Sequence, residues 1–145
     1  MAKIFLERKK GVFGFDVKDE AGHLLQTDSS RENGGDESGF RPMQLVLAAL
    51  GSCSAIDLVS ILAKQRQEIR ELSIEVDGER EKGTIPSLWQ TVAVTFHLKG
   101  NIDAEKAEKA ATLSMEKYCS VAETLRRGGT EINWKVIVDT EEATS

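Results

Sequence analysis

Two cysteines, Cys53 and Cys119, are the residues of this sequence best suited to covalent chemistry. A cysteine thiolate attacks a peroxide, and a second cysteine can then close a disulfide with the oxidised first one. The two residues therefore permit a pair made of a peroxidatic and a resolving thiol. Free cysteines are also among the most often buried small residues, so a purely structural role for both stays open at this point.

A reactive Cys53 needs a cation near it. The surrounding segment is apolar, which raises the pKa of a thiol, whereas only the thiolate is nucleophilic. Asp57, one helical turn further on, would oppose ionisation further if it is itself ionised. Arg31 and Arg41, in the polar segment before the apolar one, are the candidates for the cation that offsets both effects. Their positions are equally compatible with ordinary solvated loop residues.

No metal or cofactor motif is found in the sequence. The two cysteines and two histidines contain no closely spaced ligand pair of the kind that structural zinc sites use. These four residues are His23, Cys53, His97 and Cys119. The glycines within residues 34–39 do not form a phosphate-binding or dinucleotide-binding pattern. We therefore expect neither a metal nor a cofactor.

The composition indicates an ordinary globular protein. The chain has 145 residues, 40% hydrophobic and 30% charged, and is predicted to form a single domain over residues 1–145. A net charge of -5 and the lack of a basic run argue against a nucleic-acid partner. Residues 1–10 contain too few apolar residues for a secretory signal, so we expect a cytoplasmic protein with reduced thiols. The segment 43–63 carries several polar residues and is predicted to be a buried helix, with no membrane partner.

The first half of the chain contains the elements that must position Cys53. Residues 1–27 are predicted to form short strands, and residues 28–41 a long loop that is either functional or disordered. Pro42 is suited to the first position of a helix. That helix is apolar almost all round from Leu45 to Leu62, so it must be covered on most sides. Burial between two subunits would provide that cover.

The second half carries Cys119. Alternating apolar residues predict strands around 72–76, 92–98 and 132–138. Asp103 is a good cap for a second helix, whose apolar stripe extends to Leu125 and which Gly128 ends. Residues 141–145 are predicted to be a frayed tail. This order of strands and helices predicts an α+β fold.

Two segments resemble the cysteine motifs of the OsmC/Ohr family, the osmotically induced and organic hydroperoxide resistance proteins. They are Pro42–Cys53, PMQLVLAALGSC, and Tyr118–Leu125, YCSVAETL. The residues CSAID from Cys53 to Asp57 are most similar to the OsmC-like branch. The resemblance implies antiparallel sheets wrapped around two long central helices in an intertwined homodimer.

The resemblance also implies a function and a role for each site residue. Cys53 would be the peroxidatic cysteine, Cys119 the resolving cysteine, and Arg31 the residue that activates the thiol, with Arg41 as the fallback. The chain would then be a thiol-dependent peroxidase. It would reduce organic hydroperoxides through a sulfenic acid on Cys53 and a Cys53–Cys119 disulfide, which a dithiol reductant reopens.

The chain departs from the family pattern directly after the proline. Peroxidase members carry a glutamate there that holds the arginine, and this chain carries Met43, which cannot accept a charge-assisted hydrogen bond. Glu32 or Glu37 from the loop would have to replace it. Two alternatives are therefore kept. One is a noncatalytic dimer that binds a small apolar or acyl ligand, and the other is a thiol–disulfide exchange protein without peroxide specificity.

Overall fold

The computed structural model describes residues 2–140, so the predicted frayed tail at 141–145 lies outside the described residues. The chain divides into two compact units, Met1–Val46 and Leu47–Ser145. The long helix begins at the end of the first unit, and most of its length belongs to the second.

The first unit contains a three-stranded antiparallel sheet. Its strands are β1 Ile4–Lys10, β2 Gly14–Asp19 and β3 Leu24–Thr27, in the order β1-β2-β3. The prediction of short strands in this region is confirmed. Gly11 allows the turn between β1 and β2 because it has a φ of 59°, which glycine adopts without a steric penalty.

The loop from residue 28 to residue 41 is organised around the carboxylate of Asp28. Asp28 is 3% exposed and accepts hydrogen bonds from the backbone N–H groups of Ser29 (2.7 Å), Asp36 (3.3 Å) and Ser38 (3.1 Å). The Ser38 hydroxyl donates a further bond of 2.6 Å. That hydroxyl and the backbone N–H groups lower the pKa of Asp28 to about 2, against the opposing effect of desolvation. The loop is therefore ordered by an internal polar centre.

Helix α1 spans Pro42–Lys64, with Pro42 at its first position as predicted. The side chain of Gln44 accepts the backbone N–H of Arg41 at 3.0 Å, which satisfies one donor at the start of the helix. One face is buried at four-residue spacing by Leu50, Ser54, Leu58 and Leu62.

The rest of α1 is only partly covered. Ile56 is 70% exposed and Val59 is 43% exposed. By length and composition α1 could cross a membrane, and 28% of its apolar window is buried. Within residues 2–140, the chain therefore covers one face of a helix that is apolar on most sides.

The second unit contains a sheet of β4 Glu68–Arg80, β5 Trp89–Asn101 and β6 Glu131–Thr140. Its order is β4-β5-β6, with β4 and β5 antiparallel and β5 and β6 parallel. The alternation predicted for β5 is confirmed, because one face of the strand lies in the core. That face consists of Val92, Val94, Phe96 and Leu98. The connection between the parallel strands contains the remaining helices, as a parallel crossover requires.

The predicted second helix is divided into two. Helix α2 is Ala104–Leu113, and the side chain of Asp103 caps it by accepting the N–H of Lys106 at 3.1 Å. A single π turn over Ser114–Tyr118 follows, and then helix α3 over Ser120–Arg127. The prediction of an unbroken helix to Leu125 is wrong because Cys119 has an extended backbone, with φ -76° and ψ 106°.

The described residues thus form an α+β fold with two sheets and three α-helices, in which α1 is the one long helix.

Candidate functional site

Cys53 and Cys119 come together in the second unit. Cys53 is half-buried in the middle of α1, and Cys119 is 2% exposed at the residue before α3. Both are free thiols. Their Sγ atoms and a carboxylate oxygen of Asp57 all lie within 4.8 Å of one another. The packing of α1 against the α2–α3 segment therefore places two thiols and one carboxylate in a single cluster.

The π turn positions the Cys119 thiol. The backbone N–H of Cys119 donates to the Ser114 carbonyl at 2.7 Å, which closes the turn. As the cap of α3, Cys119 then accepts the Ala122 N–H on its Sγ at 3.4 Å. The thiol accordingly lies at the positive end of the α3 dipole.

Burial is the main influence on the ionisation of Cys119. Desolvation, with a smaller contribution from the neighbouring Cys53, raises the pKa of the Cys119 thiol to about 11, against the opposing effect of the Ala122 N–H. Cys119 is therefore a protonated thiol at neutral pH.

Asp57 is held beside the thiols by a buried hydroxyl. Asp57 lies one turn after Cys53 on α1, where residues four apart are neighbours on the helix surface. Its Oδ2 accepts the Ser114 hydroxyl at 3.0 Å, and that hydroxyl also lies 3.2 Å from the Ser54 carbonyl. Ser114 is fully buried. Sequence reasoning treated Asp57 only as an unfavourable charge and missed Ser114, for which the sequence contains no local signal.

Asp57 also borders a cavity of about 460 Å³. Ile61, Leu113 and Tyr118 supply apolar wall, and Lys64 supplies a positive charge. The volume and mixed lining match those of small-molecule sites, which span roughly 300–1,000 Å³. A small ligand in this cavity would contact the same carboxylate that lies beside the two thiols.

The two candidate arginines share one carboxylate within the first unit. Arg31 Nε lies 3.6 Å from Glu37 Oε2, and an Arg41 terminal nitrogen lies 3.6 Å from Glu37 Oε1. Glu37 adopts a φ of 52°, in the left-handed region, and lies between Asp36 and Ser38, whose backbone N–H groups both donate to Asp28. Of the two loop glutamates considered in place of Met43, Glu37 thus pairs with both arginines. The activation of Cys53 by Arg31 stays a prediction.

The histidines take no part in the cysteine cluster. His23 pairs with Asp19 at 2.7 Å in the turn after β2, and His97 lies on the exposed side of β5. Among residues 2–140, one group of three or more histidine, cysteine or acidic side chains has its potential metal-ligand atoms within 4.8 Å of one another. This group consists of Cys53, Asp57 and Cys119. Two sulfurs and one carboxylate are donor types that a metal ion could use.

An α+β fold with one thiol in its long helix and a second thiol at a helix cap is typical of a known class of proteins. The sequence model described as OsmC-like protein matches residues 34–135. The chain is also 38% identical over 108 residues to protein YhfA of Escherichia coli K12, covering 74% of this chain and 77% of YhfA. The chain belongs to the OsmC-like family, which confirms the resemblance seen in the two cysteine motifs.

Solved structures share the fold over nearly the whole chain. A hypothetical protein from Aquifex aeolicus VF5 is similar with a TM-score of 0.84 at 29% identity, covering 98% of both chains. The organic hydroperoxide resistance protein OhrB of Bacillus subtilis is similar with a TM-score of 0.68 at 20% identity, covering 94% of this chain and 98% of OhrB. The intertwined dimer with two long central helices stays a prediction.

Proposed function

We propose that the chain is a thiol-dependent peroxidase that reduces organic hydroperoxides. The observation that carries this proposal is the placement of the Cys53 and Cys119 sulfurs within 4.8 Å of each other. A similar fold in a protein described as an organic hydroperoxide resistance protein supports the choice of oxidant.

The different burial of the two thiols supports different steps for them in this proposal. The half-buried Cys53 is the thiol that meets the hydroperoxide, and the buried Cys119 waits as a protonated thiol. The Cys53 thiolate attacks the terminal peroxide oxygen, the O–O bond breaks, and the alkoxide leaves as the alcohol by taking up the proton that the Cys53 thiol released on ionisation. Cys119 then attacks the sulfur of the Cys53 sulfenic acid. Its thiol proton leaves with the hydroxide as water, and the disulfide that forms is reopened by a dithiol reductant.

The positive charge that favours the Cys53 thiolate comes from the arginine-bearing loop. Arg31 is the first candidate and Arg41 the fallback, and Glu37 holds both guanidinium groups in the way that the glutamate after the proline does in peroxidase members. Although Met43 occupies the position of the family glutamate, the arginines therefore still have a carboxylate that can orient them, that of Glu37.

A homodimer would cover the surface that one chain leaves open. On α1, the side chains of Ile56 and Val59 are exposed. On β1, three further apolar side chains are each more than half exposed, those of Ile4, Phe5 and Leu6. Exposed apolar area on two elements favours burial against a second copy. We place this dimer in the cytoplasm, where thiols stay reduced between cycles.

The proposal is tested by mixing reduced protein with cumene hydroperoxide and dithiothreitol and following the loss of peroxide. Wild type should turn over many times, and Cys53→Ser should not exceed the rate without protein. In a separate reaction without dithiothreitol, Cys119→Ser should consume about one peroxide per chain and accumulate a sulfenic acid, because its resolving thiol is missing. Equal rates for wild type and Cys53→Ser would exclude the peroxidase.

A second candidate function is a noncatalytic dimer that binds a small apolar or acyl ligand. The cavity of about 460 Å³ beside Asp57 favours it, because apolar walls and one lysine suit an acyl chain with an anionic head. Native mass spectrometry of the purified protein distinguishes the two functions. A copurified ligand on a protein whose thiols do not react with hydroperoxide would support binding alone.

A further inference from the structure

We propose that the reduced cluster of Cys53, Asp57 and Cys119 binds a thiophilic divalent cation, with zinc as the first choice. The three ligand atoms come from α1 and from the cap of α3 and lie within 4.8 Å of one another. This binding does not depend on peroxide reduction.

The charge of the cluster is the first argument. The cluster brings together three groups that can each bind a metal ion as an anion, two sulfurs and one carboxylate oxygen. Without a cation, three negative charges at this spacing would repel one another. A divalent cation makes the electrostatic interaction favourable, since each of the three groups is then stabilised as an anion by the positive charge of the ion. The position of Asp57 is thus explained by a cation and not by the nucleophile alone.

The donor set and its spacing are the second argument. Zinc binds cysteine sulfur at about 2.3 Å and carboxylate oxygen at about 2.0–2.2 Å, usually in a tetrahedron. Two sulfurs on one tetrahedral zinc are then about 3.8 Å apart, so a cluster within 4.8 Å closes around the ion by about 1 Å or less. We expect rotation of the Cys53 and Asp57 side chains on α1 to supply that movement.

The surroundings complete a zinc site of the open kind. Ser114, fully buried, donates its hydroxyl to Asp57 Oδ2 at 3.0 Å and orients the carboxylate, as outer hydrogen bonds commonly do for metal ligands. Asp57 also borders the cavity of about 460 Å³, so that water or a small anion can approach the cluster from its carboxylate side and supply a fourth ligand. Three protein ligands with one open position are the pattern of reactive zinc sites.

The sequence pattern did not show this site because only cysteine and histidine were considered as ligands. The third ligand is instead Asp57, at i+4 from Cys53, and Cys119 joins it through the tertiary structure.

Binding involves no change of oxidation state. The cation replaces the thiol protons of Cys53 and Cys119, which pass to solvent, and Asp57 contributes its existing charge. Oxidation of the pair to a disulfide removes both sulfur ligands, so the oxidised protein should not hold the ion.

The experiment uses Co²⁺ as a spectroscopic probe on the full-length protein, reduced, freed of metal with a chelator and kept without oxygen. We expect one Co²⁺ per chain, with a sulfur-to-cobalt charge-transfer band and the strong visible bands of a tetrahedral site. Zn²⁺ should bleach both. Cys53→Ser and Cys119→Ser should each weaken the charge-transfer band, and disulfide formation in wild type should abolish it.

Asp57→Asn is the decisive variant, with Asp77→Asn on the exposed side of β4 as its matched control. Loss of an outer hydrogen-bond partner alone costs roughly 10–100-fold in metal affinity, so Asp57→Asn should weaken Co²⁺ binding at least about tenfold. Asp77→Asn should bind as wild type does. If Asp57→Asn does not fold, Ser114→Ala and the oxidised wild type provide the same comparison.

Three results would overturn the proposal. They are no charge-transfer band at stoichiometric Co²⁺, a band that survives disulfide formation, and equal affinities for wild type and Asp57→Asn. Peroxide turnover is measured separately on metal-free protein with chelator present. A protein without peroxidase activity would therefore not contradict the cation site, and a protein that does not bind the cation would not contradict the peroxidase.

Discussion

The Sγ atoms of Cys53 and Cys119 lie within 4.8 Å of each other although one belongs to the middle of α1 and the other to the cap of α3. The π turn over Ser114–Tyr118 produces this relationship, because it follows the end of α2 and makes Cys119 the N-cap of α3. The bond from the Ala122 N–H then directs the Cys119 thiol. Such π turns inside helical segments are frequent at functional sites.

Mild oxidation should join these two cysteines within one chain. Their sulfurs already lie within 4.8 Å of each other, and a disulfide requires a separation of about 2.05 Å. With diamide, thiol titration should fall from two thiols per chain to none, and intact mass should drop by two hydrogens. Disulfide-linked pairs of chains on a nonreducing gel, or two thiols that persist after oxidation, would contradict the geometry.

The two arginines that share Glu37 should contribute unequally to peroxide reduction. Arg31→Met should lower kcat/KM for cumene hydroperoxide by roughly 10²-fold, the usual cost of losing a group that stabilises developing charge. Arg41→Met is the matched comparison and should have a smaller effect. Glu37→Gln should lower the rate as well, since it releases both guanidinium groups. A larger loss of kcat/KM for Arg41→Met than for Arg31→Met would make Arg41 the activating residue.

The loop that carries these arginines should lose its protection from hydrogen exchange at low pH. The pKa of Asp28 in the folded chain, about 2, lies below its ordinary value of 3.8. Its carboxylate therefore stabilises the loop fully above 3.8, and that stabilisation is lost as the pH falls through about 2. Hydrogen exchange at the Ser29, Asp36 and Ser38 amides, corrected for intrinsic rates, should accelerate over this range.

Asp28→Asn is the control for that measurement. An amide has no carboxylate to protonate, so the three protected amides should exchange faster than in wild type with no step between about pH 4 and 2. An acid step that persists in Asp28→Asn would assign the effect to another group.

The Ser114 hydroxyl should matter for stability as well as for the site. Ser114→Ala leaves the half-buried Asp57 carboxylate without this donor, which typically costs about 1–3 kcal/mol of the free energy of unfolding. Urea unfolding measures this loss. Ser120→Ala, at an exposed position on α3, should change stability by less than about 0.5 kcal/mol. Equal stability of the two variants would show that the Ser114–Asp57 bond contributes little.

Local rules predicted most of the elements. Pro42 begins α1, Asp103 caps α2, Gly128 follows the end of α3, and the alternation in β5 separates its buried from its exposed face. Each of these follows from backbone geometry and burial of neighbouring residues, so the sequence pattern was sufficient. The division of the second helix was missed because no glycine or proline occurs in Ser114–Ser120. It depends on the bond from Cys119 to the Ser114 carbonyl and on the packing of Ser114 against α1.

By itself, the sequence determined that this chain is an α+β protein of the OsmC-like family, and that Cys53 and Asp57 share one face of a long helix. Helical periodicity is a property of neighbouring residues, so it can be seen in the sequence pattern. Only the tertiary structure decided that Cys119 and Ser114 join that face and that Glu37 pairs with both arginines. Contacts between residues far apart in the chain result from the summed packing of the whole core, which no local pattern records.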